Sequence, residues 1–275
     1  MYNAYFGLAE NPFNLSPDPA FFYRSPQHEE ALANLVYGIQ SRKGFTVLTG
    51  EVGTGKTTLI ECLRDELDAA GVLCAYILNP RLTVDEFFAM IAYSLDLRGG
   101  ADTKVRVLVA LEHMLFQRAS RGATTALIVD EAQDLSWDLL EEIRLLGNLE
   151  NRAGKLLQIV LVGQPELDRK LDAPNLRQLK QRIVLRCSLR GLTAEQTAAY
   201  VRSRLSKAGL SEQTVFSDGL LAEIHVRTQG IPRLINVVCD NLLLTAFAME
   251  ERTVSLAMLD EVTNDLRLEW PGRAA

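Results

Sequence analysis

From Phe45 onward the chain alternates short apolar, β-branched runs with longer stretches in which apolar residues recur every three or four positions. The short runs predict strands at 45–49, 72–78, 125–129, 156–162 and 182–189, and the stretches between them predict helices at 56–70, 84–95, 104–119 and 135–150. A run such as Ala126-Leu127-Ile128-Val129 is apolar at every position, so its strand is expected to be covered on both faces. That predicts a parallel sheet sandwiched between helices. After Gly191 the strand signal ends. From Thr193 only helical spacing remains, with Thr193 and Ser217 as N-caps and Gly209 and Gly230 as stops, which predicts four helices in a small all-helical domain. The opening segment mixes Pro12, Pro17, Pro19 and Pro26 with Phe13, Phe21, Phe22 and Tyr23 and cannot hold regular structure for long. It is expected to lie as an ordered arm against the body. The expected division is an αβα domain at 1–190, with an arm at 1–30, followed by a helical domain at 191–275. There is no internal repeat and no low-complexity tract.

With 275 residues, 48% of them hydrophobic, the chain can fill the core of one large domain with a smaller one attached. Cys62, Cys74, Cys187 and Cys239 lie far apart without zinc or redox spacing, and read as small buried hydrophobes in a reducing compartment. The start, MYNAYFGLAENPF, has no basic n-region, and no run of about 18 apolar residues occurs, so neither a secretory leader nor a membrane span is expected. The expected location is cytoplasmic, peripheral to the inner membrane only through partners. A net charge of -6 argues against a surface broadly attractive to nucleic acid but leaves room for a local basic stripe.

The chemistry begins at Gly50-Glu51-Val52-Gly53-Thr54-Gly55-Lys56-Thr57, followed by Thr58. This G-x-x-x-x-G-K-[ST] pattern falls between an expected strand and an expected helix, as a phosphate loop requires. Its glycines let backbone N–H groups wrap a phosphate, and the helix N-terminus adds partial positive charge at the same place. Lys56 would reach the β- and γ-phosphates of ATP, and Thr57 would place its hydroxyl on Mg²⁺. A glycine-rich turn without a ligand is the competing reading.

The strand at 125–129 runs into Asp130-Glu131 and delivers two carboxylates to the carboxyl edge of the sheet, where the phosphate loop also emerges. Asp130 would hold the magnesium hydration shell, and Glu131 would orient and deprotonate the attacking water. An ordinary helix N-cap is the alternative for such a pair. The next strand ends in Gly163-Gln164-Pro165-Glu166, so Gln164 is a candidate for sensing the γ-phosphate if the two strands are neighbours, against a simple turn. Gln133 and Asp134 continue the acidic loop without an assigned role. Three arginines could complete the site. Arg177 and Arg182 precede the last strand, where a neighbouring subunit could be reached, and Arg182 is favoured. Arg233, in Gly230-Ile231-Pro232-Arg233, could fold over the nucleotide from within the chain. For each, a solvated surface arginine is the alternative. A finger supplied by a neighbour implies head-to-tail assembly into a ring or filament when ATP is bound.

The segments YFGLAENPFNLSPDPAFFYRSPQHEEAL, GEVGTGKTT, LIVDEAQDL, VGQPEL, LKQRI and GIPRLIN together resemble the AAA+ ATPases of the general secretion pathway protein A type, over nearly the whole chain. The resemblance implies an αβα P-loop NTPase with a five-stranded parallel sheet and a C-terminal helical lid. It gives Asp130 and Glu131 the Walker B role, Gln164 sensor 1, Arg182 the arginine finger and Arg233 sensor 2. It also implies that Phe22, Tyr23 and His28 shape an adenine pocket, where plain aromatic packing is the alternative. Members of that family typically continue into a transmembrane helix and a peptidoglycan-binding domain, and help a secretin assemble. These 275 residues contain neither. They are expected to be the cytoplasmic portion of a longer protein or a soluble relative linked to MSHA-type pili or to exosortase and exopolysaccharide systems.

The leading expectation is therefore an ATPase whose nucleotide-dependent assembly serves a secretion, pilus or polysaccharide export apparatus. The alternative is a DNA-associated AAA+ regulator of the TnsC-like or replication-initiator type, favoured by Arg177, Lys180, Arg182, Arg186 and Arg190. Against it stand the acidic balance and the lack of a separate helix-turn-helix. A nucleotide-binding scaffold without turnover is a third reading, weakened by Glu131.

Overall fold

The structure is a computed structural model that describes residues 2–16, 18–78, 81–97, 103–152, 154–210 and 215–268. Pro17 of the arm and residues 269–275 of the expected helical domain lie outside the described residues. The elements in chain order are α1 (Tyr2–Phe6), α2 (Pro26–Gln40), β1 (Phe45–Gly50), α3 (Lys56–Ala69), β2 (Leu73–Ile77), α4 (Val84–Ser94), α5 (Lys104–Ser120), β3 (Thr125–Val129) and α6 (Trp137–Leu146). A small hairpin, β4 (Glu150–Asn151) and β5 (Gly154–Lys155), precedes β6 (Leu157–Gly163), α7 (Pro165–Leu171), α8 (Arg177–Lys180) and β7 (Ile183–Leu189). The chain then runs through α9 (Ala194–Lys207), α10 (Asp218–Thr228), α11 (Pro232–Ala248) and α12 (Leu256–Asp265).

The chain falls into two compact units, and the first holds the sheet, in Gln27–Glu51 and Leu59–Leu189. Its five strands are all parallel in the order β2-β3-β6-β1-β7, so the strands at 45–49, 125–129 and 156–162 are its three central neighbours. All five residues of β3 and all seven of β6 are buried, as their largely apolar composition requires, with Thr125 and Gln158 as buried polar members. Full burial of each such Val, Leu or Ile is worth about 1.5–3 kcal/mol against exposure. Local signals set the helix ends. Thr83 and Glu86 form a reciprocal capping box on α4, and Ser136 caps α6 by accepting from the Leu139 N–H.

Helix α6 is shorter than its spacing predicts, because Ser136 starts it and Gly147 ends it. A Cβ at Gly147 would lie 2.2 Å from Cε2 of Phe45, so glycine lets the helix end lie against the first strand. The chain then turns into the β4–β5 hairpin, which carries too few residues to show a period.

The second unit gathers Met1–Pro26, Val52–Thr58 and Arg190–Ala275. Its core is formed by apolar faces of α9 to α12, with Val201, Ile224, Leu242 and Leu259 fully buried. Thr193 caps α9 in a capping box with Gln196, Ser217 caps α10, and the four helices among the described residues match the number expected. The first 26 residues, placed by their sequence with residues 27–190, group with these helices. Phe6, Phe13 and Phe21 join the helical core. Polar side chains then fasten the arm. Arg204 donates from Nη1 to the Pro12 carbonyl at 2.9 Å and stacks on Phe21 and Tyr200, while Lys207 donates to the Ala20 carbonyl at 2.6 Å and the Phe22 carbonyl at 3.2 Å. The Tyr2 hydroxyl donates to Asp240, which also accepts from Asn11 at 3.0 Å. Burial, and then Asp240, raise the Tyr2 pKa, which keeps that hydroxyl a donor. No helix among the described residues is long and apolar enough to cross a membrane.

Candidate nucleotide site

Parallel register decides what the sheet presents at its carboxyl rim. Thr49 of β1 pairs with Gly163 of β6, and Val129 of β3 pairs with Leu161 of β6. Glu51, Gln164 and Asp130 therefore leave three adjacent strands at one edge, with Gln164 on the middle strand. This is the crevice position at which open parallel sheets hold ligands.

Asp130 is buried and held from two sides. Its Oδ1 accepts the Glu131 N–H at 2.8 Å, and its Oδ2 accepts the Tyr76 hydroxyl at 2.9 Å. Tyr76 stands on β2, the neighbour of β3, and the Arg64 guanidinium lies 5.1 Å from its ring centroid. Burial, followed by the charge of Asp130, raises the Tyr76 pKa, so the phenol stays protonated and donating. Spacing along the chain gave no sign of this residue, because the contact depends on strand order.

Glu131 has φ 50 and ψ 37, a left-handed conformation that costs a non-glycine residue of order 1 kcal/mol or more. Its carboxylate is met by amides. Gln133 donates from Nε2 to Glu131 Oε2 at 2.6 Å, and Gln164 donates from Nε2 to the same oxygen at 3.3 Å. The expected meeting of Gln164 with the acidic pair thus occurs, whereas Gln133, which the sequence left without a role, makes the shorter contact.

The phosphate-loop residues follow β1 and lead into α3 at Lys56. Gly53 and Gly55 have φ of 82 and 96, conformations that glycine adopts without cost and that turn successive backbone amides along the loop. Thr54 and Lys56 are buried, Gly50 is buried, Gly53, Gly55 and Thr58 are half-buried, and Glu51, Val52 and Thr57 are exposed. Val52–Thr58 group with the helical unit, where Arg233, the second residue of α11, donates its backbone N–H to the Gly53 carbonyl at 3.2 Å. A Cβ on Gly53 would lie 2.6 Å from Cβ of Arg233, so the loop and the start of α11 touch as backbones. The Arg233 side chain is exposed.

Arg182 sits elsewhere. It precedes Ile183, which pairs with Phe45 at the amino end of β1, and so lies at the edge of the sheet opposite the acids. Its Nη1 donates to the Arg144 carbonyl at the end of α6 at 2.8 Å. Arg177 is exposed on α8. Of the adenine-pocket candidates, Tyr23 packs edge-to-face on Tyr200 at 5.8 Å between centroids, and Phe22 receives Lys207 on its carbonyl, both within the helical unit. His28 is buried in the first turn of α2 and belongs to the sheet unit.

A five-stranded parallel sheet with a glycine loop after β1, together with a helical unit, defines a P-loop NTPase fold of the AAA class. An AAA domain family matches residues 39–171. The General secretion pathway protein A of Aeromonas hydrophila is 47% identical over 250 residues, covering 90% of this chain and 45% of that protein. The chain therefore belongs to the general secretion pathway protein A type of AAA ATPase family, and spans about half the length of that curated relative. Solved structures bear out the fold. Cdc6p from Pyrobaculum aerophilum superposes with a TM-score of 0.68 at 20% identity, over 94% of this chain and 71% of that one. Drosophila ORC bound to DNA gives 0.67 at 18% identity, over 95% and 67%. The Thermotoga maritima RuvB Holliday junction branch migration motor gives 0.59 at 16%, over 90% and 70%.

Proposed function

We propose that this chain binds Mg-ATP and hydrolyses it, and that nucleotide-dependent self-association is the useful output. The observation that carries the reading is the shared rim: Glu51 at the head of the phosphate loop, the acids and Gln164 leave adjacent parallel strands. The donors suit magnesium, a hard cation that takes oxygen ligands and keeps several waters. Thr57 and Asp130 would hold it, and when bound it supplies charge neutralisation on the β- and γ-phosphate oxygens. The loop amides and Lys56 cradle the phosphates, and Gln164 reads the γ-phosphate. Glu131 orients the water and takes its proton as the new O–P bond forms and ADP leaves.

Tyr76 is expected to matter through Asp130. Tyr76→Phe keeps the ring against Arg64 and removes only the donor, so the Mg²⁺ concentration for half-maximal turnover should rise about tenfold, as losses of such outer-shell partners do. Titrating turnover against Mg²⁺ checks it; an unchanged midpoint assigns the hydroxyl to packing alone.

Arg182 lies at the edge of the sheet opposite the acids, which suits service to a second copy. Its bond to the α6 carbonyl holds the guanidinium before any encounter. With a slowly hydrolysed ATP analogue, light scattering should show growth into a ring or filament, and Arg182→Ala should lose at least ~10²-fold in turnover while still binding nucleotide. A species that stays monomeric, together with full turnover in the variant, contradicts this reading.

The AAA family and its secretion-pathway relative support service to a membrane-associated export or pilus apparatus, reached through partners from the cytoplasmic side. The DNA-binding alternative receives less support from the basic stripe than its composition suggests. Lys180 pairs with Asp172 at 2.7 Å, Arg186 pairs with Asp168 at 2.7 Å, and Arg182 is held by a carbonyl.

A further inference from the structure

Gln133 occupies the space between the acidic loop and the end of β6, and its side-chain amide is used at both ends. Its Nε2 donates to Glu131 Oε2 at 2.6 Å, while its Oε1 accepts the backbone N–H of Gln164 at 3.0 Å. The fit is tight. A Cβ on Gly163 would come within 2.7 Å of that Oε1, so the strand must end in glycine for Gln133 to reach the Gln164 backbone. The loop behind it is fixed as well, since Lys170 of α7 donates to the Gln133 carbonyl at 2.9 Å and to the Leu135 carbonyl. Glu131 itself has a left-handed backbone, so its side-chain direction is set by these neighbours and not by a helix or strand.

We infer that Gln133 is a positioning residue for hydrolysis, a rigid link that ties the Glu131 carboxylate to the backbone of the γ-phosphate-reading residue Gln164. The inference rests on the reading of Glu131 as the base. Both amides address Oε2, so Oε1 is the oxygen left to take the proton from water, and Gln133 fixes its direction. Movement of Gln164 on meeting a γ-phosphate is transmitted through one amide to the base. The link acts on the chemical step and makes no demand on nucleotide binding, which falls to the phosphate loop.

The test uses Gln133→Met, which keeps length and volume and removes both hydrogen bonds. Turnover should fall about tenfold or more, with calorimetric Mg-ATP affinity within about twofold, the signature of an interaction realised in the transition state. In a Glu131→Gln background the same change should cost little further, because the group it positions is already disabled. A variant with unchanged kcat, or an equal loss in both backgrounds, overturns the inference. Should Gln133→Met fail to fold, Gln133→Glu carries the comparison: it keeps an acceptor for the Gln164 N–H and loses the donor to Glu131. Wild-type turnover in Glu131→Gln alone would instead bring down the reading of the base, a result separable from any obtained at position 133.

Discussion

Glu131→Gln should bind Mg-ATP within about twofold of the parent chain and release phosphate ~10²–10⁴-fold more slowly. The physical reason is that the change removes one function only. Glutamine has the shape of glutamate, and its carbonyl oxygen can still accept from the amides of Gln133 and Gln164 that now meet Oε2. It cannot accept a proton from water. Asp130 keeps the Tyr76 hydroxyl and the backbone N–H of residue 131 as donors, so the group proposed to hold the metal is left in place. Calorimetry with Mg-ATP and continuous phosphate release measure the two quantities separately. Turnover within threefold of the parent would assign Glu131 to the loop's conformation and not to chemistry, and loss of binding would mean that the acid holds the nucleotide or its metal. Because binding outlasts turnover, the same variant should remain assembled in ATP and is suited to capturing the proposed partners.

The parts of this site that were legible in the sequence share a property: each is encoded by neighbours along the chain. The phosphate loop declares itself because glycines, lysine and threonine stand at fixed offsets between a strand and a helix. Asp130 and Glu131 declare themselves because the apolar run Ala126–Val129 of β3 stops at them, and Gln164 because the run Ile159–Gly163 of β6 does the same. Whether Gln164 would meet the acids depended on β3 and β6 being adjacent, which the sequence posed as a condition and the strand order supplies. Tyr76 and Gln133 were not legible. One lies within a strand like any aromatic, and the other lies in a loop where glutamine has no conformational signature; both matter through contacts across strands. The grouping of the arm was equally hidden. Its aromatics announce burial but not the surface that buries them, and it is Arg204, Lys207 and Asp240, ordinary surface residues in the helical pattern, that fasten it. Arg182 shows the converse, since its place at the amino end of the sheet follows at once from register with Phe45, although the chemistry proposed for it depends on assembly.

Gly230→Ala should destabilise the chain by about 3–5 kcal/mol and weaken nucleotide binding as well. Gly230 has φ +68, and a Cβ there would lie 2.0 Å from the Leu192 carbonyl oxygen, 2.7 Å from its nitrogen and 2.9 Å from its carbonyl carbon. All three are backbone atoms, so no side chain can swing aside. The two segments must separate, which breaks the Leu192 N–H bond to the Gly230 carbonyl, now 2.8 Å, and adds the cost of a left-handed alanine, about 1–2 kcal/mol. Gly191 answers from the other side, where a Cβ would lie 2.2 Å from the Gln229 carbonyl oxygen, so the crossing is glycine against glycine. Three residues after Gly230 stands Arg233, whose N–H meets the Gly53 carbonyl of the phosphate loop at 3.2 Å. Displacing the start of α11 therefore disturbs the loop that is to hold the phosphates. Gly219→Ala is the matched control, because a Cβ there meets nothing within 4 Å and the residue is already helical in α10. It should be neutral or gain up to about 1 kcal/mol. Thermal unfolding of the two variants, with and without Mg-ATP, separates the effects: Gly230→Ala should melt several degrees lower and respond less to nucleotide, while Gly219→Ala should track the parent. Equal melting of the two variants would mean that the chain crosses at Gly230 with more room than these distances allow.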